Sequence, residues 1–191
     1  MQKDDNGVTK LSMEELNRKS VAEFREADKF PMVVILENIR SAHNVGSVFR
    51  TADAFLLHSI YIVGYTAIPP HKEIKKTALG AEDTVQWKHF KNIAEAIEEL
   101  RGEGFKIYAV EQAQGSIMLQ LFDPGKEKIA VIFGNEVSGV EQSTIAMVDG
   151  CIEIPQLGMK HSLNISVAAG IVLWEVVRKK IDMGDLPAGN R

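Results

Sequence analysis

The run Met32-Val-Val-Ile-Leu36 contains five apolar side chains in succession, with no polar residue among them. Successive strand side chains point to opposite faces, so a run without alternation needs a sheet covered on both sides. Ile129-Ala-Val-Ile-Phe133 repeats the pattern. Other segments carry helical spacing. Val45, Val48, Phe49, Ala52 and Phe55 mark a helix over Asn44–Phe55, and Ile93, Ala96, Ile97 and Leu100 another, capped by Asn92 and ended by Gly102 and Gly104. Further strands are expected at Ser59–Val63, Phe105–Val110 and Cys151–Ile154, with a short one at Thr84–Trp87. Short buried strands alternating with helices specify an α/β fold with a mostly parallel sheet flanked by helices.

The remaining segments complete one domain. Ser12-Met-Glu-Glu15 reads as a capping box, with Leu11 stapled to Leu16, opening a short N-terminal helix to about Ala27 that stops before Pro31. Pro69-Pro70 breaks a loop, Asp123-Pro-Gly125 makes a turn, and Glu141–Val148 reads as a short helix. The expected division is residues 1–30 for the N-terminal polar segment and helix, 31–182 for the main domain, and 183–191 for a tail. At 191 residues this is one domain of roughly average size.

Composition excludes several classes. With 45% apolar and 25% charged residues the chain is neither disordered, collagen-like nor a disulfide miniprotein. A net charge of −4 gives no global basic signature, so any nucleic-acid contact must use local patches. Cys151 is the single cysteine and the five histidines form no i,i+4 pair, so no disulfide and no metal site is expected. The first twenty residues hold no apolar run suited to a signal peptide, and no stretch is long enough to span a membrane, which points to a cytoplasmic location.

The final helix, Ser162–Ile181, is apolar nearly all round. Leu163, Val167, Ile171 and Trp174 mark one stripe, while Ile165, Ala169, Val172 and Val176 make the opposite side apolar too. Such a helix must be covered on all sides, most simply by a second subunit; a wide amphipathic stripe is the alternative.

Three polar constellations interrupt the apolar strand-to-helix junctions. The first is Asn38…Asn44-Val-Gly46…Arg50-Thr51, for which a plain helix cap at Asn44 and a solvated charge at Arg50 are the competing reading. The second is Gly134-Asn-Glu136-Val-Ser-Gly139, which permits close backbone approach at a strand's carboxyl end but matches neither a dinucleotide fingerprint nor a P-loop. An ordinary tight turn is the competing reading. The third is Ile154-Pro-Gln156…Ser162-Leu-Asn164-Ile-Ser166, where Ser162 is a natural N-cap and Asn164 and Ser166 are polar groups inside an apolar helix.

Taken in this order, these segments resemble the three motifs of the SpoU (TrmH-like) RNA ribose methyltransferases of the SPOUT superfamily. The resemblance covers about residues 32–178, and Lys76-Thr-Ala-Leu-Gly-Ala-Glu-Asp83 is similar to the family's Ala/Gly-rich segment. Gln156 departs from the usual Met. The resemblance implies a deep C-terminal trefoil knot, a homodimer, and methyl transfer from S-adenosylmethionine to a ribose 2′-hydroxyl in tRNA or rRNA. It implies catalytic roles for Asn44, Arg50, Glu136, Ser162 and Asn164, with Glu136 orienting Arg50. It also implies cofactor contacts at Gly134, Ile154 and Leu163, with Asn135, Leu157, Val110 and Glu111 beside them. RNA contacts are expected at Arg40, His43, Lys72, Lys75, Lys76 and Lys160, with Lys88-His89, Lys91 and Arg178-Lys-Lys180 as further basic patches. The competing classes are a catalytically inactive knotted module that binds RNA or cofactor, and a small-molecule enzyme on a doubly wound fold.

Overall fold

In the computed structural model, residues 8–12, 15–16, 19–160, 162–185 and 187 are described. The sheet has seven strands, all parallel, in the order β3-β2-β1-β6-β4-β7-β5. The strands are β1 (Phe30–Glu37), β2 (Leu57–Val63), β3 (Trp87–Phe90), β4 (Phe105–Val110), β5 (Ile117–Met118), β6 (Lys128–Phe133) and β7 (Gly150–Glu153). The helices are α1 (Val21–Glu26), α2 (Ala42–Ala54), α3 (Lys72–Ala78), α4 (Ala81–Thr84), α5 (Ile93–Gly102), α6 (Gln142–Ile145) and α7 (Ile165–Asp182).

The expected two-sided burial of β1 and β6 is present. Met32, Val34 and Leu36 face a core shared with α2 and α7, while Val33 and Ile35 face a second core shared with α5. No helix among the described residues is long and apolar enough to cross a membrane.

Several boundaries differ from the sequence expectation, each for a local reason. Ser12 and Glu15 make their reciprocal capping bonds, yet they close a single turn. A second capping box, Ser20 with Glu23, starts α1, and the extended backbone of Ser20 interrupts the expected helix from Ser12 to Ala27. Residues 13, 14, 17 and 18 of that helix lie outside the described set. Leu11 and Leu16 are both exposed. The short strand lies at Trp87–Phe90, after Thr84 has ended α4. β7 is Gly150–Glu153, and α6 is confined to Gln142–Ile145. Periodicity marks neither α3 nor α4, because each is under two or so turns long and its register is set by packing on α2.

That packing depends on Gly46. A Cβ there would overlap the Thr77 hydroxyl and the Ile74 carbonyl, so only glycine allows α3 to cross α2 this closely. α2 is itself capped by Ser41 and not by Asn44, and α7 by Asn164 and not by Ser162. Both shifts leave a motif residue in a new position: Asn44 stands in the first turn with its side chain free of capping work, and Ser162 lies ahead of the helix.

The final helix is buried on one side only. Ile165, Ala169, Val172, Leu173, Val176 and Val177 enter the core, while Val167, Ile171 and Trp174 remain on the surface. Trp174 stacks at 5.9 Å on Phe55 at the end of α2.

Candidate active site at the carboxyl edge of the sheet

The site begins where β1 and β6 end side by side, Leu36 opposite Phe133. Beyond β6 the chain turns sharply: Asn135 and Gly139 exchange backbone hydrogen bonds of 3.0 and 2.9 Å, and the Asn135 side chain accepts from the N–H groups of Val137 and Ser138. Gly134 lies against this turn so closely that a Cβ would overlap the Gly139 carbonyl and the Val140 nitrogen.

Glu136 projects from the turn to the start of α2. Its carboxylate accepts from the backbone N–H of Arg40 at 2.9 Å, of Ser41 at 3.1 Å, and from the Asn44 amide at 3.0 Å. Burial raises its pKa, but the N–H groups of Arg40, Ser41 and its own backbone, together with the Asn44 amide, outweigh burial and hold it below the usual carboxylate range. The positive end of α2 favours the same charge. Asn44 then accepts a hydrogen bond of 3.2 Å from the amide of Asn164, whose own oxygen accepts from the N–H and hydroxyl of Ser166. One relay, Glu136 to Asn44 to Asn164, therefore joins the three constellations.

Beside the relay opens a cleft of about 1010 Å³. Val110 and Glu111, Gly134 through Ser143, Ile154 and Gln156, and Ser162, Leu163, Ile165 and Ala168 belong to its walls. Val110, Glu111, Gly134, Asn135, Ile154 and Leu163, expected to touch a cofactor, all line it, as do Glu136 and Ser162. Leu157 does not: its side chain is 100% exposed on the segment ahead of Asn164. The Glu111 carboxylate already accepts from the N–H groups of Val140 and Gln112, so it braces the turn behind the cleft.

Arg50 stands apart. It is exposed, does not line the cleft, and makes no ion pair among the described residues. Six helical residues past Asn44 is about 600° of rotation and about 9 Å of rise, which carries Arg50 to another side of α2. The expected pair with Glu136 is replaced by the three N–H donors named above.

The basic patches divide. Lys72 and Lys75 line a smaller cleft of about 410 Å³ with His71 and Trp87. Lys76 and His43 both pair with Glu73, and Lys88 pairs with Glu99. Lys160 is exposed, and His161 beside it lies outside the described residues. Within the Arg178-Lys-Lys180 run, Arg178 stays partly exposed and pairs along its own helix with Glu175 and Asp182, while Lys179 caps the carbonyls of Gln120 and Phe122 and Lys180 is fully buried on those of Gly125 and Glu127. Lys179 and Lys180 thus tie α7 to the segment before β6 and are engaged within the fold.

Tyr65 lies outside the three constellations, and Asn38 only opens the first of them. Asn135 donates to both the Asn38 carbonyl at 2.8 Å and the Tyr65 hydroxyl at 2.7 Å. The available signal was an aromatic directly after Gly64 at a strand's carboxyl end.

The model of the SpoU rRNA methylase family matches residues 31–174. The chain belongs to this family. As a SpoU methylase it resembles the tRNA (guanosine(18)-2′-O)-methyltransferase of Thermus thermophilus, 32% identical over 170 residues, 89% of this chain and 86% of that protein. The Escherichia coli enzyme of the same name is 30% identical over 156 residues, 80% of this chain and 66% of its own. Among solved structures, the TrmH/SpoU tRNA modifying enzyme of A. aeolicus superposes with a TM-score of 0.77 at 27% identity, covering 86% of this chain and 83% of that one. An AdoMet-bound rRNA methyltransferase from Sinorhizobium meliloti gives a TM-score of 0.73 at 28% identity, over 81% of this chain and 57% of its own. The matched span contains all three segments that the relay brings together.

Proposed function

We propose that this SpoU methylase transfers a methyl group from S-adenosylmethionine to a ribose 2′-hydroxyl of tRNA or rRNA, and that the relay of Glu136, Asn44 and Asn164 beside the cleft is its catalytic frame. The observation carrying this reading is that one cleft and one hydrogen-bond relay unite three segments up to 120 residues apart. A structural turn alone would not need all three.

The cleft fits the donor. Its volume suits a drug-sized ligand, its wall at Gly134 is bare backbone, and Val110, Ile154, Leu163 and Ala168 offer apolar surface beside Glu111, Asn135 and Ser162. When bound, S-adenosylmethionine supplies a methyl carbon already activated by its sulfonium. The chain's work is alignment and proton removal. Glu136, held ionised, fixes the first turn of α2; Asn44 and Asn164 fix the entry to α7; Ser162 and Leu163 face the cleft. The Arg50 guanidinium offers only donors and no acceptor, so it grips the substrate phosphate and polarises the hydroxyl, whose proton passes to that phosphate or to water.

Because Arg50 lies outside the cleft of its own chain, we infer that it acts where two copies meet. The exposed Val167, Ile171 and Trp174 of α7 support a homodimer, since an apolar stripe in water costs free energy until covered. We propose also that the chain between Ile154 and Asn164 carries the family's trefoil knot. In support, β7 lies beyond β4 while α7 packs against α2, so this segment must return across the sheet's carboxyl edge beside the 134–140 turn. RNA would be met by Arg40, Lys72, Lys75 and Lys160, with His43 and Lys76 joining if RNA displaces Glu73. Labelled donor incubated with total tRNA and total rRNA tests the function: 2′-O-methyl marks on either class support it, and none on both rejects it.

A further inference from the structure

We propose that Tyr65 is the platform on which the base of the target nucleotide stacks, at the mouth of the donor cleft. The proposal rests on the methyl-transfer reading above and concerns the substrate side of that same site.

Tyr65 follows Gly64, which ends β2 in the left-handed region at φ +67. A side chain on Gly64 would strike the Asn38 carboxamide, and that same Asn38 oxygen accepts the N–H of Tyr65 at 3.4 Å. At the other end of the residue, the hydroxyl accepts from Asn135 at 2.7 Å. Asn135 lines the cleft and is itself fixed, bonded to the Asn38 carbonyl and to the N–H groups of Val137 and Ser138. The ring is thus pinned at both ends to the turn that forms the cleft wall.

Its faces are nevertheless open. Tyr65 is 64% exposed, and among the described residues no aromatic ring or cation lies on it. An exposed ring gains almost nothing for the fold from burial. A ring already immobilised loses little freedom on binding, which is what a stacking partner for an unpaired base requires. Methylation of a ribose inside the cleft needs that nucleotide drawn out of its stack, and a flat apolar surface beside the cleft replaces the lost neighbour. A second chain could instead cover the ring, and the test separates the two.

The measurement is steady-state methyl transfer to whichever RNA pool, tRNA or rRNA, accepts methyl groups from the unsubstituted protein, with donor affinity followed by calorimetry and mass by sedimentation. Tyr65→Ala and Tyr65→Leu, the second keeping bulk without a π face, should each raise KM for RNA about tenfold or more while donor Kd stays within about twofold. Tyr65→Phe, which keeps the ring and loses the Asn135 bond, should restore KM to near the original. The proposal is overturned if both ring-deleting variants keep the original KM, if they weaken donor and RNA equally, if Phe is as defective as Ala, or if any of them changes the sedimenting mass. If the unsubstituted protein methylates neither pool, the methyl-transfer reading falls and Tyr65 falls with it, a result distinguishable because no variant is then involved.

Discussion

The Glu37 carboxyl accepts the Thr144 hydroxyl at 2.8 Å in a place where both residues are almost wholly buried, and its other oxygen has no partner among the described residues. This joins the end of β1 to α6, whose neighbours line the cleft. Burial pushes the Glu37 pKa up, opposed by the Thr144 hydrogen bond and reinforced by the charge of Glu141. A carboxyl raised in the folded state favours folding below its unfolded pKa and loses that contribution as pH rises through the folded value. Glu37→Gln keeps the acceptor for Thr144 without the charge. Its stability relative to the original protein should therefore rise between acid and neutral pH in urea titrations, and a flat or falling difference would refute the assignment.

Glu136 has the opposite sign. Its folded pKa is depressed, so its contribution is present above the unfolded value near 4.5 and disappears as pH falls through the folded one. Glu136→Gln replaces one acceptor by an amide facing the N–H of Arg40 or Ser41, and should cost about 1–3 kcal/mol near neutrality. Repeated toward acid pH, the denaturation difference should shrink.

Gly134 and Gly46 make a matched pair. Gly134→Ala drives a methyl into the Gly139–Val140 backbone, so the cleft wall must move; donor affinity by calorimetry should drop by about tenfold or more. Gly46→Ala instead separates α2 from α3 and should cost about 1–3 kcal/mol of stability, as overpacking does, with donor affinity unchanged. Equal effects on donor binding would contradict the placement of the cleft.

Arg50→Ala should abolish methyl transfer while leaving calorimetric donor binding nearly intact, because Arg50 does not line the cleft. Full turnover in that variant removes it from the mechanism.

Trp174→Glu places a charge on the exposed stripe of α7. Sedimentation should show a dimer becoming a monomer, since burying an unpaired carboxylate costs several kcal/mol. Unaltered mass would mean that the stripe is not the interface.

The elements that packing requires were legible in the chain itself. The unbroken apolar runs of β1 and β6 could only be strands covered on both faces, and α5 announced itself through Asn92, its periodicity and its terminal glycines. The family was legible too, because its motif residues recur in order. What the chain could not disclose is which neighbour a polar side chain chooses. Asn44 reads as a cap by local rules, but Glu136 lies 92 residues away in sequence and claims it, leaving Ser41 to cap α2. Lys180 reads as a surface charge, yet the turn at Gly125 closes over it. Periodicity and capping are local properties and survive in the one-dimensional record. Hydrogen-bond partners and exposure depend on which distant segments meet: the turn after β6 and the entry to α7 decided those of Asn44, and the turn before β6 meeting the end of α7 decided those of Lys180.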